Sequence, residues 1–489
     1  MQLAEQITGF GMRLAQKKWA LTPVRQRLEI VARLRKRMAL AAQELAETIP
    51  TRLPGALHRT VADTLVSEVL PLMEACRFLE KRAAGILRTR RLGRKGRPVW
   101  LSGVDSEIER VPWGVVLILG ASNYPLLLAG VQTLQALVAG NAVLWKPAPG
   151  TQAVAFAMRL LLAESGLDPE LLTLLDPGVE SATAAMAAGV DAVVLTGSVE
   201  TGRSVLRQLA ETLTPATMEL SGCDAVFVLP GADVGRTLGA LQFGLRFNGS
   251  FTCMAPRRVF LVGMQEAEAV SFEARLASSL EMIRAVPMPS ATMKLLRGMV
   301  EEARNSGAEV LLEGLREAEG LASATLITGA TPDLLCMQAS VFAPILSVMR
   351  TASREEALAA SAACGYALTA AIFGPEEEAR QFARRLRVGH VLINDIVIPT
   401  ADPRVSFGGR GKSGYGVTRG AEGLLAMTTP RTLQVSRGSR ERAWEPTGEG
   451  HVEFFAGLAA MLHGEGWRVR MDGLKRVVRM GRALGKRQS

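Results

Sequence analysis

The chain of 489 residues is 48% hydrophobic and 21% charged, the balance of an ordinary globular protein with room for two or three domains. Its net charge of +10 would suit a nucleic-acid binder, but Arg468 to Ser489 holds eight Lys or Arg against Asp472, so most of the charge belongs to a tail and no nucleic acid is expected. Five widely spaced cysteines (Cys76, Cys223, Cys253, Cys336 and Cys364) without a C-x-x-C pair, and only four histidines, argue against a disulfide framework, a metal site and a Ser-His-Asp triad, and favour a cytoplasmic setting.

Met1 to Leu21 scatters Glu5, Arg13, Lys17 and Lys18 where a signal sequence would be apolar, so none is expected. Val24 to Glu44 and Ala62 to Lys81 carry apolar residues at helical spacing, such as Leu28, Val31, Leu34 and Met38 in the first. Thr89 to Arg97 reads as a basic linker, and Val99 to Val111 as a strand or hairpin outside the main fold. A regular alternation follows, with strands expected at 115–119, 142–145, 171–175 and 192–195 and helices at 126–138, 152–164, 180–188 and 201–213. Such alternation means right-handed crossovers and a parallel sheet covered on both faces, with ligands at the carboxyl ends of its strands. The apolar run from Gly114 to Ala139 is broken by Asn123 and Pro125 and reads as buried strand plus helix, not a membrane span.

A second α/β unit is expected after Pro215, with strands at 225–229, 257–262, 345–349, 370–373 and 391–394. Helices are expected between them at 234–246, 265–282, 354–364 and 376–386. Residues 422–436 are expected to add a strand and Ser436 to Gly450 a linker. Met471 to Leu484 can form a basic helix, which either docks on an anionic membrane surface or stays solvated or protein-docked.

Two residues 34 apart suit the halves of a covalent redox cycle. Cys253 ends the polar, glycine-bearing turn Phe247-Asn248-Gly249-Ser250-Phe251-Thr252, and Glu219 sits where an apolar run gives way to Leu220-Ser221-Gly222. A thiol can attack a carbonyl carbon, and a carboxylate can then activate water to release the product. In Gly120-Ala121-Ser122-Asn123-Tyr124-Pro125 the Asn123 carboxamide can donate to an oxyanion, although a turn-forming asparagine explains the same residue. Lys146, at a strand end, suits a ribose hydroxyl or phosphate, or simply snorkels. Thr196-Gly197-Ser198-Val199-Glu200-Thr201-Gly202 suits a pyrophosphate at a helix start, or is a capping turn. Gly409-Arg410-Gly411-Lys412-Ser413-Gly414 mimics phosphate fingerprints, but a loop with Pro399 and Pro403 precedes it and Ser406 stands where a P-loop needs glycine.

In this order the motifs resemble those of the NAD(P)-dependent aldehyde dehydrogenase superfamily, over about residues 100 to 435. That family carries Asn-(Phe/Tyr)-Pro, Lys-Pro, Gly-Ser-x-Glu-x-Gly, Glu-Leu-Gly-Gly and Asn-x-Gly-Gln-x-Cys, then a Phe-Gly-Pro segment and Phe-Gly-Gly with Ser-Gly. The last two are here Phe342-Ala343-Pro344 and Phe407-Gly408-Gly409 with Ser413-Gly414. The resemblance implies an α/β fold with a Rossmann-type parallel-sheet cofactor domain (1–97 and 112–218) and an α/β catalytic domain (219–421). It also implies small β oligomerisation strands (98–111 and 422–436), leaving a basic extension at 437–489, and a homodimer or homotetramer. It makes Cys253 the nucleophile and Glu219 the base, with Asn123 and the Cys253 N–H as the oxyanion site. Lys146, Gly197, Ser198, Gly202, Leu220 and Phe342 would hold NAD or NADP. The implied cycle runs through a thiohemiacetal, hydride transfer to nicotinamide C4 and thioester hydrolysis, on a small-molecule aldehyde and without a metal.

Several residues depart from the family pattern. Pro149 replaces a glutamate that grips the adenosine ribose, which permits NADP, and Ser340 replaces a glutamate on the nicotinamide ribose. Ser221 and Cys223 replace a glycine and a lysine after the base, and Ser250 and Phe251 replace Gly-Gln before the thiol. Two alternatives stay open: a CoA-acylating or acyl-reducing enzyme, against which Glu219 counts, and a cofactor-binding relative without turnover.

Overall fold

The computed structural model describes residues 10–53, 55–101, 103–437 and 446–486. They form two compact units: one holds the described residues up to Thr89 together with Glu109–Arg431, the other Arg90–Ile108 and the described part of Thr432–Ser489.

The first unit is built on two sheets. In the first sheet, β1 (Val115–Leu119), β2 (Ala142–Lys146), β3 (Leu172–Leu174), β4 (Ala192–Gly197) and β5 (Ala216–Leu220) run parallel in the order β5-β4-β1-β2-β3. The two-residue strand Gly414–Tyr415 pairs antiparallel outside β5. Every residue of β1 is buried, as an unbroken aliphatic run covered on both faces requires. The chain leaves β1 towards β2 on one side and later places β4 on the other, so a topological switch falls between β1 and β4. At such a point, ligands bind beyond the carboxyl ends of the strands.

The second sheet contains β6 (Asp224–Val228), β7 (Pro256–Val262), β8 (Glu309–Leu312), β9 (Thr325–Thr328), β10 (Ile345–Thr351), β11 (Thr369–Phe373) and β12 (His390–Ile393). Its order is β8-β9-β10-β7-β6-β11-β12, parallel except for β8 at the edge. Phe227 on β6 stacks on Phe260 of β7 with ring centroids 5.1 Å apart, at the heart of that core.

Helices before β1 shape the wall of the site. Val24–Leu40 buries Leu28, Ile30, Val31, Leu34 and Met38, and Leu70–Ile86 buries Leu72, Ala75, Cys76, Leu79 and Ala83. The helix Leu127–Ala139 is buried along its whole length, as its apolar composition on every face demands. Its first turn needs acceptors, and Glu68 supplies them: its carboxylate accepts from the Leu126 and Leu127 N–H groups at 2.7 and 2.9 Å and pairs with buried Arg59. Arg59 in turn donates to the Asn123 carbonyl at 3.1 Å and lies over the Tyr124 ring. Replacing Glu68 by alanine leaves a buried guanidinium without its carboxylate and is expected to cost about 3–5 kcal/mol. Urea unfolding checks this, and a loss below about 1 kcal/mol would contradict it.

Within the second unit, residues 432–436, residues 104–108 and Arg90–Leu92 form a three-stranded sheet in that order. Arg437 pairs with Asp105 at 3.1 Å, and Gln434 donates to Ser106 at 3.2 Å. Beyond it, Glu449–His463 and Gly466–Lys486 form a helical hairpin. Its helices touch at glycines: a Cβ on Gly473 would stand 2.4 Å from the Met461 nitrogen, and Arg479 pairs with Glu453 across the hairpin. No described helix is long and apolar enough to cross a membrane.

Three expectations are revised. Residues 422–436 are not one strand: Gly420–Ala426 is helical and the strand starts at Thr428. The turn into that helix needs left-handed backbone at Arg419 and Gly420, with φ of 62° and 57°. The basic linker at 89–97 contains the paired strand Arg90–Leu92, and Val99–Leu101 is a short turn ahead of the strand at Val104. The strand at 216–220 was not expected, and it carries Glu219 into the first sheet. Of the expected linker 436–450, residues 438–445 lie outside the described residues, and the helix Glu449–His463 follows directly.

Candidate active site

Two cavities meet at Cys253. A cleft of about 500 Å³ opens at the carboxyl ends of β1, β2 and β4 and is bordered by Asn123, Lys146, Ser198, Glu219, Leu220 and Phe342 as well as Cys253. A second cavity of about 190 Å³ is walled mainly by apolar side chains, among them Leu127, Phe247, Met254, Val397 and Ile398, and also touches Cys253. The other four cysteines are buried; Cys253 is the partly exposed one.

The thiol is presented by a strained turn. Asn248, Gly249 and Ser250 are all left-handed, with φ of 50°, 62° and 69°. A Cβ on Gly249 would lie 2.7 Å from that of His58, so only glycine fits there. Asn248 ties the turn down: its Oδ1 accepts from the His58 N–H at 3.1 Å, and its amide donates toward the Ala56, Asn123 and Phe251 carbonyls at 3.3 Å. Buried Arg257 holds Ser250 by hydroxyl and carbonyl, each at 2.7 Å, and the Ala343 carbonyl as well. That clamp accounts for a serine in a left-handed position that the family gives to glycine.

Asn123 lies in the turn after β1, 5% exposed, and one amide hydrogen goes to the Phe251 carbonyl at 3.0 Å. A carboxamide has a second N–H, which remains for an oxyanion beside Cys253. Glu219 is 2% exposed; its Oε2 accepts from the Thr418 hydroxyl at 3.3 Å, and its Oε1 has no partner among the described residues. Burial pushes the Glu219 carboxyl up, against the pull of Arg419 and Thr418. Burial, then the charges of Glu219 and Asp224, push the Cys253 thiol up as well, with Arg419 opposing. The thiol is therefore protonated at neutral pH and needs a base to attack, and a carboxylate raised by burial is a better acceptor than an exposed one.

On the cofactor side, Ser198 caps the helix Val199–Ala210 by accepting from the Thr201 N–H at 3.1 Å, and it also borders the cleft. Both readings of that turn therefore describe one arrangement, in which the positive helix end faces the cavity. Gly197 borders the cleft, whereas Gly202 does not: a Cβ there would stand 2.9 Å from Leu220 Cδ1, so its smallness lets the helix approach β5. Lys146 is half-buried at the end of β2, and burial lowers its pKa. Glu219 is the only carboxylate among the described residues bordering the cleft, with Pro149 and Ser340 at its wall. A cavity with a capped helix end, a lysine and no carboxylate near Pro149 fits a nicotinamide dinucleotide with or without a 2′-phosphate.

Sequence reading missed Glu68, Arg59, Asn248, Arg257, Thr418 and Arg419 as parts of this site. Arg257 and Arg258 carried a signal, since adjacent arginines opening an apolar strand must find buried acceptors.

A single accessible thiol between a dinucleotide cleft and an apolar cavity, with a buried carboxylate alongside, defines an oxidoreductase equipped for a covalent step. The family model "Aldehyde dehydrogenase family" matches residues 11–433, and the chain belongs to that family. It is 29% identical over 465 residues to the 4,4'-diapolycopene aldehyde oxidase of Methylomonas sp., covering 93% of this chain and 86% of that protein. Among solved structures, the NAD+ complex of Staphylococcus aureus betaine aldehyde dehydrogenase superposes with a TM-score of 0.80 at 21% identity, over 91% of this chain and 89% of the other. The NAD-dependent aldehyde dehydrogenase of Sinorhizobium meliloti gives 0.80 at 23% identity, over 91% and 88%. The expected α/β fold with its Rossmann-type sheet is thus the fold of this chain, which is an NAD(P)-dependent enzyme oxidising an aldehyde to a carboxylic acid.

Proposed function

We propose that this enzyme oxidises uncharged, apolar aldehydes, with Cys253 as nucleophile and Glu219 as the base that takes the thiol proton, releases it to solvent, and then takes a proton from water. The observation that carries the reading is the position of Cys253, which borders both the cofactor cleft and the apolar cavity. An aldehyde tail fills that cavity while its carbonyl meets the sulfur. The Asn123 amide and the Cys253 N–H face the developing oxyanion. Lys146, Ser198 and Phe342 would hold the dinucleotide, whose nicotinamide would supply the hydride acceptor. Water attack on the thioester then releases the acid. Assays of aromatic and long-chain aldehydes against succinate semialdehyde, with each cofactor, test this. Apolar substrates should be preferred, and free acid should form without CoA; a preference for the charged aldehyde would sink the substrate reading.

The edge strand Thr428–Ser436 supports a homo-oligomer. It is exposed over most of its length and presents Leu433 and Val435, and an open apolar edge pairs readily with a second copy. The double variant Leu433→Lys, Val435→Lys is expected to run at the monomer mass in light scattering, against a dimer or tetramer for the parent. The helical hairpin supports peripheral membrane contact by a cytoplasmic enzyme. Its exposed Trp467, Val469, Met471 and Val478 lie among Arg468, Arg470, Lys475 and Arg482. Deleting 437–489 without changing sedimentation with anionic vesicles would remove that reading.

A further inference from the structure

Glu219 faces a difficulty that the reaction proposed above does not resolve. A carboxylate 2% exposed, holding one hydroxyl at 3.3 Å and nothing at Oε1 among the described residues, tends to take up a proton and lose its function. The residue following its hydroxyl partner is Arg419. Its backbone is left-handed, at φ 62°, a conformation that a residue with a side chain keeps only under constraint. Its guanidinium is buried, with the residue 8% exposed, and lies 5.0 Å over the Phe407 ring. Nη1 donates to the neutral Thr400 carbonyl at 2.8 Å, and Nε is buried without a partner among the described residues. Phe407 and Thr418 exchange backbone hydrogen bonds at 2.8 Å, and the Thr418 hydroxyl contacts both the Phe407 carbonyl and Glu219. Arg419 therefore stands in the cluster that fixes the carboxylate, and it also borders the apolar cavity beside Cys253.

We infer that Arg419 is a positioning residue for Glu219: its buried cation, on the wall of the aldehyde cavity, keeps that carboxylate charged and ready to take a proton from water. The inference rests on Glu219 acting as the base. In the step concerned, the water oxygen bonds to the thioester carbonyl carbon and its proton passes to Glu219. The carbon–sulfur bond breaks, sulfur leaves as the Cys253 thiolate, and no electrons change hands. In the low-dielectric interior of a protein a fixed charge acts well beyond hydrogen-bond distance. Arg419 indeed opposes the effect of burial at both Glu219 and Cys253. Of the titratable groups nearby, His390 is held below its ordinary value by burial and by Arg419 itself, and Asp224, which with Glu219 acts on Cys253, is pushed up to about 7 chiefly by burial.

The test uses the acyl-enzyme made from p-nitrophenyl acetate, which loads Cys253 without cofactor, and follows its decay as pH is raised. Arg419→Gln keeps a donor for Thr400 but loses the charge. Its rising limb should move to higher pH by about one unit, so that decay on that limb is slowed about tenfold at a given pH. Arg419→Lys keeps the charge, and its limb should stay where the parent's lies. A loss of equal size at every pH in both variants would make Arg419 a mere strut for the Thr400 loop, and an unmoved limb in Arg419→Gln would likewise overturn the inference. Failure of the parent to form an acyl-enzyme would instead strike the proposed roles of Cys253 and Glu219.

Discussion

Cys253→Ala is expected to abolish aldehyde-dependent formation of reduced cofactor, with a loss on the order of 10⁴-fold or more, because the bond to the aldehyde carbon has no other thiol to form it. The four remaining cysteines are buried, so none can substitute. The fold should be untouched: Cys253 packs only at the margin of the small Met254–Leu368–Phe407 cluster. Circular dichroism and cofactor quenching of protein fluorescence should match the parent. Residual turnover within about tenfold of the parent would place the chemistry elsewhere.

Glu219→Gln should separate the two halves of the reaction. The parent should lose activity on the acid side at a higher pH than an ordinary carboxylate would give, because burial raises the pKa of its base. In the variant kcat should fall by about 10²–10⁴-fold. At alkaline pH a larger fraction of the thiol ionises to solvent, so the first step recovers in part. About one reduced cofactor per active site should then appear in a burst, followed by a stall at the thioester. Stability should move the other way. A carboxyl whose folded pKa is raised above its unfolded value favours the folded state fully only below the unfolded pKa, and that contribution is lost as pH rises through the folded pKa. At neutral pH the parent therefore carries a cost that the neutral amide removes, and Glu219→Gln should melt higher than the parent. A variant that is slower but not more stable would mean that Glu219 is charged without strain.

The parts of this site that were legible in the sequence are those that β–α turns encode locally. Asn123, Lys146, Gly197 and Ser198 each lie at or just beyond the end of a buried strand, so the alternation of elements places them together at one sheet edge. Cys253 was legible because its turn concentrates polar and small residues. Other features needed tertiary contacts. Glu68 sits at a π-helical turn between helices, and nothing local announces that its carboxylate caps a helix nearly sixty residues on. Arg257 and Arg419 look like surface residues until the chain folds carbonyl groups around them. The strand carrying Glu219 was hidden because a proline precedes it and Ser221-Gly222 follows, so the segment read as a boundary. Helix Gly420–Ala426 was read as part of a strand because its left-handed start at Arg419 has no sequence signature outside glycine.

The account stands on one covalent bond. Glu219→Gln, incubated at alkaline pH with an apolar aldehyde and NAD(P)+, should accumulate an acyl adduct seen by peptide mass spectrometry on the fragment containing Cys253, matched one to one by reduced cofactor. Reduced cofactor formed with no adduct on any cysteine, or with the acyl group on Cys76, Cys223, Cys336 or Cys364, would contradict it.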